Sequence, residues 1–318
     1  MPGQVYSVSS LGGVMSQPYL SQKLRAVAQP LFRFRQFVDA KEAIGKNRGD
    51  TFLFDKMQNV ATQGGVLIET NTIPETQFVT NQGTCVITEY GNSIPFTQKL
   101  DNLAQFQLEP ATEQRLRDDM VKVLESACGT QYINTEFIAV ASSTAVGSMI
   151  ITTNGTATAT ATANLSANGV RDVVNFMTKK LIPKYDGRNY VCIAGVTAMS
   201  GLHADSATGG WVDISKYTVT FAPNVFAGEV GEFYKTRFVE ETGFLSNAIG
   251  TGAQYGQSVF FGADQVYEAL SVPEEIRVKI PLDFGRDMGL AWYALIGFKT
   301  VWNYNVDTEQ HIVFVTSA

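Results

Sequence analysis

Apolar positions change their period several times along these 318 residues, and each change marks an element. In PYLSQKLRAVAQPLFRF (18–34), Leu20, Leu24 and Val27 recur at helical spacing until Pro30 stops them. Residues 1–48 therefore read as a loose arm with one short helix. From Thr51 the spacing shortens: TFLFDKM (51–57) and VLIET (66–70) read as strands. Gly64-Gly65 and Gln82-Gly83 give turn signals, and Pro74 lies near a tip. Residues 49–98 then form an extended β-hairpin loop with too little apolar material for a core of its own. An isolated two-stranded ribbon is marginal in water, so this one has to lie on something, and a neighbouring subunit is the simplest candidate.

LEPATEQRLRDDMVKVLESACG (108–129) gives the clearest helix, opened near Pro110 and closed around Gly129. Leu116, Met120, Val123, Leu124 and Ala127 make one apolar stripe, and Glu113–Arg117 and Asp118–Lys122 are i,i+4 pairs on the wet side. This helix is the spine of a unit spanning 99–151. TTNGTATATATANLSANG (152–169) is low-complexity and reads as a solvent linker. Beyond it, Val170, Val173, Val174, Met177 and Leu181 form a helix stripe ended by Pro183, and Asp186-Gly187 turns into NYVCIAGV, a continuous apolar run of the buried-strand type. Residues 170–265 thus form a small α/β domain. Strands return over 266–318, where LAWYALIGFKTVW is apolar on both phases and needs cover on both sides. The fold class is α+β.

Composition sharpens this picture. Charged residues are 17% of the chain, against roughly 25% in ordinary soluble domains, as expected if neighbouring copies cover several faces. Net charge is −6, unevenly spread. Between Met1 and Arg48, seven cations (Lys23, Arg25, Arg33, Arg35, Lys41, Lys46, Arg48) face only Asp39 and Glu42. That arm carries +5 and the remainder −11. A basic arm on an acidic body suits contact with copies of itself, or with nucleic acid. MPGQVYSVSSLGGVM lacks the basic start and apolar core of a secretory signal. The longest uncharged run, 137–170, is too rich in Ser, Thr, Asn and Gly to span a bilayer. A soluble chain made in a cytosol, without membrane contact, is expected.

Candidate chemistry is thin. Cys85, Cys128 and Cys192 are odd in number, far apart and set among apolar residues, so they read as buried thiols. The two histidines, His203 and His311, have no ligand cluster; His203-Ala-Asp205 is a stray pair on a loop, and His311 opens the strand HIVFV. GTGAQYG (250–256) follows no strand and opens no helix, so it fails as a dinucleotide loop. Arg48-Gly49-Asp50 is a chance tripeptide, and Asp118-Asp119 and Glu240-Glu241 fit solvated faces. No nucleophile, base and oxyanion site assembles, so no enzyme and no cofactor is expected. The rival readings are a tail-tube or decoration subunit and, further off, a small hydrolase.

Four blocks carry a resemblance. TEYGNSIPFT (88–97) resembles the strand-and-turn block of the major capsid proteins of short-tailed and related bacteriophages. GEVGEFYKTRFVEET (228–242) resembles their Gly-x-x-Gly strand, VFFGADQVYEAL (259–270) the segment that precedes the last strand, and PLDFGRDMGLAWYALIGFKTVW (281–302) the C-terminal Gly-rich strand with its Trp and Lys. The blocks keep the family's order. The resemblance implies the tailed-phage capsid (Johnson) fold: an N-terminal arm (1–48), an extended loop (49–98), a peripheral domain with its spine helix (99–151), a linker (152–169), an axial α/β domain (170–265) and strands returning to the peripheral domain (266–318). Gly91 and Pro95 then mark where the loop's return strand bends into the body.

The implied function is a structural one: self-assembly of pentamers and hexamers into an icosahedral virion shell, made in the host cytoplasm. Residues expected at inter-subunit contacts are Arg48, Phe52, Phe54, Val66, Ile68, Glu69 and Tyr90. Lys23, Arg25, Arg33 and Arg35 are expected on an interior-facing arm that meets packaged double-stranded DNA or an acidic scaffold. Because Met1-Pro2-Gly3 opens directly on the arm, a separate scaffolding protein is expected, with a portal and a decoration protein as further partners.

Overall fold

The computed structural model describes residues 33–43, 49–58, 64–69, 72–104, 107–205, 211, 226, 229–245, 256–281 and 283–317. The helix expected within 18–34 falls almost wholly outside them. β1 (Asp39–Ala43) leads toward the ribbon, whose two strands are β2 (Thr51–Met57) and β3 (Thr80–Val86). They pair antiparallel from Thr51↔Val86 to Met57↔Thr80. The partner of TFLFDKM is therefore TNQGTCV and not VLIET, which lies in the long connection between them. The Gln82-Gly83 turn signal misled because Gly83 sits mid-strand for another reason. A Cβ there would lie 2.4 Å from the Phe54 ring, so only glycine lets that ring lie across the ribbon.

β4 (Thr88–Thr97) continues into the body and begins a four-stranded sheet in the order β1-β11-β12-β4, with β11 (Val266–Val278) and β12 (Asp287–Thr300) at its centre. β4 pairs with β12 over ten consecutive residues without a register shift. Neither Gly91 nor Pro95, expected to mark a bend, interrupts the ladder; the break falls instead at Ile87, between β3 and β4. Gly91 meets a close approach, since a Cβ would sit 2.9 Å from the Trp292 carbonyl oxygen. Pro95 is tolerated because β4 is an edge strand, where a missing N–H leaves no ladder bond unmade.

Thr97 accepts a hydrogen bond from the backbone N–H of Leu100 and caps α1 (Gln98–Leu103). The spine helix α2 (Leu108–Ile133) follows, 26 residues and about 39 Å long. It runs a turn past the expected stop, and Gly129 is an interior helical residue: a Cβ there would come within 2.5 Å of the Phe244 ring. Leu116, Leu124, Cys128 and Tyr132 bury its inner face against the four-stranded sheet. Glu113 and Arg117 pair on its surface, while Asp118 pairs with Arg115 at 3.3 Å. β12 has the two-sided cover its apolar run demands. Trp292 is buried and donates from Nε1 to Asp119 at 2.9 Å, and a Cβ on Gly297 would strike Cys85 and the Val86 carbonyl.

The α/β unit is a seven-stranded sheet ordered β6-β5-β13-β10-β7-β9-β8. Its members are β5 (Phe137–Ala141), β6 (Met149–Thr152), β7 (Tyr190–Gly195), β8 (Glu229–Phe233), β9 (Thr236–Glu241), β10 (Gly256–Phe261) and β13 (Ile312–Ser317), with α3 (Ala167–Lys179) and α4 (Val196–His203) packed on it. The sheet thus draws β5, β6 and β13 from outside 170–265. Residues 153–166 are no free linker either: Thr162 and Ala163 donate to the Ala141 carbonyl, and Leu165 joins the core. β8 and β9 are joined by Tyr234 and Lys235, both at positive φ, the geometry of a tight hairpin turn. A short α5 (Tyr304–Asp307) precedes β13.

Candidate inter-subunit surface

The ribbon divides into an anchored base and a naked outer part. At the base, Phe52 and Phe54 lie on one phase of β2, and both stack nearly parallel on Tyr267 of β11, at 5.3 and 5.1 Å between ring centroids. Lys56 continues that phase. Its ammonium bonds the buried Asp307 carboxylate and donates to the Val301 carbonyl at 3.1 Å. Asn81 donates to the other carboxylate oxygen at 3.1 Å, and the Asn303 backbone N–H adds a bond of 3.0 Å. Burial alone pushes the Asp307 carboxyl up, but the bonds from Lys56, Asn81 and Asn303 outweigh it and hold the group below its ordinary range. A groove of about 660 Å³ remains beside this base, between the ribbon and Tyr267, Val301 and Trp302.

Gln58 still donates from Nε2 to the Val306 carbonyl at 3.3 Å; the described residues farther out, 64–69 and 72–79, are exposed throughout. Val66 is 99% exposed, and Leu67, Ile68, Ile73, Phe78 and Val79 are exposed as well, together with Glu69. Six large apolar side chains in solvent along one stretch are unusual for a lone subunit, which makes this stretch the candidate contact surface.

The expected contact residues therefore separate. Val66, Ile68 and Glu69 lie on the exposed outer ribbon. Phe52 and Phe54 are half-buried against their own Tyr267, and Tyr90 packs on the subunit's own core, where burial raises its phenol. Arg48 lies outside the described residues. Sequence reasoning missed Lys56, Tyr267 and Asp307. A lysine on the apolar phase of β2 was the available signal for the first, since a buried lysine requires a partner.

The basic arm needs a correction at Arg35. Its guanidinium pairs with Glu268 and Glu274, each at 2.6 Å, and its backbone N–H donates to Glu125 at 3.1 Å, beside the same bond from Phe34. Burial works against the charge, but the two glutamates more than offset it and raise the guanidinium further. Arg35 thus fastens the segment to α2 and β11 and is not available to nucleic acid. Arg33, half-buried in the same segment, is also engaged. Lys23 and Arg25 lie outside the described residues.

The remaining candidates for chemistry have structural roles. Asp205 accepts the Ala167 N–H at 2.8 Å in the first turn of α3, while His203 sits against Trp211. His311 is buried with Nδ1 2.6 Å from the Ala263 carbonyl, and burial lowers its pKa. All three thiols are buried; Cys85 is pushed up to about 11. Among the described residues no group of His, Cys, Asp or Glu could hold a metal ion, and no helix is long and apolar enough to cross a membrane.

No family model matches the sequence, and no curated protein does. Solved structures do match. The chain is similar to the capsid of Ralstonia phage GP4, with 16% identity and a TM-score of 0.67 over 98% of this chain and 97% of that one. It is also similar to the cyanophage Pam1 capsid (14%, 0.65, 98% of both) and to the capsid of a native GTA particle (15%, 0.63, 99% of both). The chain has the tailed-phage capsid fold. At these identities the likeness is one of architecture, and it runs the whole length of the chain. The fold implied by the four sequence blocks is the fold found. Within it, the outer ribbon carries six of the exposed large apolar side chains among the described residues.

Proposed function

We propose that this chain is the major capsid protein of a tailed phage, a non-enzymatic subunit whose copies close an icosahedral shell around double-stranded DNA. The observation that carries this reading is the exposed apolar outer ribbon, on a chain that matches phage capsid structures from end to end. A surface of that kind gains by association: each buried apolar Å² contributes roughly 25 cal/mol, and many modest contacts per subunit add up in a closed assembly. Pentamers and hexamers of this one chain form the shell. Residues 49–98 act as the overlapping loop, and Val66, Ile68 and Glu69 touch the neighbour. The arm supplies Lys23 and Arg25, with Arg48, toward DNA or an acidic scaffolding protein, while portal and decoration proteins complete the particle. The subunit is made in the host cytoplasm and ends in the virion.

The test is a pair of charge substitutions, Val66→Asp and Ile68→Asp. Both positions are exposed, so subunit stability should change by less than about 0.5 kcal/mol, while shell yield in negative-stain images falls at least tenfold. Normal particles from the double variant would contradict the reading.

A further inference from the structure

The hairpin joining β11 to β12 ends in a second exposed feature, far from the ribbon in the chain. Its strands pair as far as Val278↔Leu290, and Lys279 N–H donates to the Gly289 carbonyl at 2.9 Å. At the turn, Asp283, Phe284 and Gly285 all have positive φ, at 51°, 54° and 88°. Two residues with side chains hold the left-handed conformation there, which a bulky residue such as phenylalanine rarely adopts. The result is a Phe284 side chain that is fully exposed, with Ile280 at 82% beside it.

A narrow cleft of about 70 Å³ opens at the foot of the same hairpin. Phe96, Val278, Pro281, Met288 and Leu290 give it an apolar floor, and the carboxylates of Asp101 and Glu109 stand at its rim. Its own Phe284, standing in solvent, does not fill it. Charges near the tip are unequal in what they have to offer. Lys279, at the cleft, is held by Asp287, and Arg277 pairs with Glu275 at 2.5 Å. Arg286 is 77% exposed and lies 3.4 Å from Asp283, itself 60% exposed, a pair that contributes little in water. One end of the hairpin therefore presents an aromatic ring with a cation two residues on, and its foot presents an apolar slot with two anions.

Resting on the shell reading above, we propose that the Phe284 knob of one copy seats in the Phe96–Val278–Leu290 cleft of a second copy, with Arg286 facing Asp101 and Glu109. Knob and cleft are different surfaces of the same chain, so the contact is head-to-tail and closes into a ring when the rotation between copies closes. The occupant is another copy because this chain carries both complementary halves. The net acidic rim of Asp101 and Glu109 disfavours nucleic acid and anionic lipid surfaces alike.

Two chains, one with Phe284→Cys and one with Val278→Cys, are mixed during assembly and oxidised mildly; the native thiols are buried and stay silent. A mixed cross-linked pair on a denaturing gel is the expected result. A Phe284→Cys pair with itself, or no cross-link within imaged particles, overturns the contact while leaving the shell reading intact. Absence of particles from the unmodified chain overturns the shell reading itself. As a second readout, Arg286→Glu should reduce particle yield at least tenfold with an unchanged melting temperature. Adding Asp101→Lys and Glu109→Lys should restore it; failure of both the loss and the rescue contradicts the proposal.

Discussion

Single residues decide where the ribbon is fastened. Lys56 and Asp307 are both buried, and a buried charge stripped of its partner costs about 3–5 kcal/mol. Lys56→Met should destabilise the subunit by about 3 kcal/mol in urea unfolding, and a change below 0.5 kcal/mol would contradict the anchor. Because the Asp307 carboxyl is held below its ordinary 3.8, its stabilising contribution is complete above that pH and is lost as pH falls through the lower folded value. Amide protection at Lys56 and Asn81 should accordingly persist at pH 5 and drop only below about pH 4; loss already at pH 6 would point to another group. Residue-level legibility was uneven for a physical reason. The exposure of Val66 and Ile68 was legible because no local partner was in sight to bury them. Arg35 was misread because its partners, Glu268 and Glu274, lie more than 200 residues away, and a charge count does not see a distant carboxylate.

At the scale of elements, periodicity gave type better than extent. The spine helix, the buried strand at 190–195 and the two-sided strand at 287–300 all follow from where their apolar positions fall. The misses cluster at glycines read as punctuation. Gly83, Gly91 and Gly129 are each interior to a strand or helix, because a ring or a carbonyl presses on the backbone there. Gly129→Ala should therefore destabilise despite alanine's better helix propensity: the gain of about 1 kcal/mol is outweighed by an overpacking cost of 1–3 kcal/mol against Phe244. A thermal melt reads the sign, and a raised melting temperature would contradict the packing argument. The 152–169 segment was read as a linker from composition alone, yet backbone hydrogen bonds, to which composition is blind, tie it to β5.

For the whole molecule, the body is closed around two substantial cores that share the seven-stranded sheet, one of which also holds the spine helix and the four-stranded sheet. Among the described residues, the outer ribbon and the β11–β12 tip each leave several large apolar side chains in solvent, where an isolated subunit gains nothing from them. The base of the ribbon rests on its own subunit through Tyr267 and Asp307, so the expectation of a wholly unsupported loop fails there, while the described residues 64–69 and 72–79 stand exposed. Apolar surface gathered on projecting features is what a repeated, interlocking subunit requires. Cryo-electron microscopy of the purified chain, alone and with its candidate scaffold, tests this most directly. The account requires closed shells in which density for residues 64–79 of each copy lies across a neighbour; a stable monomer with that segment folded onto its own body would contradict it.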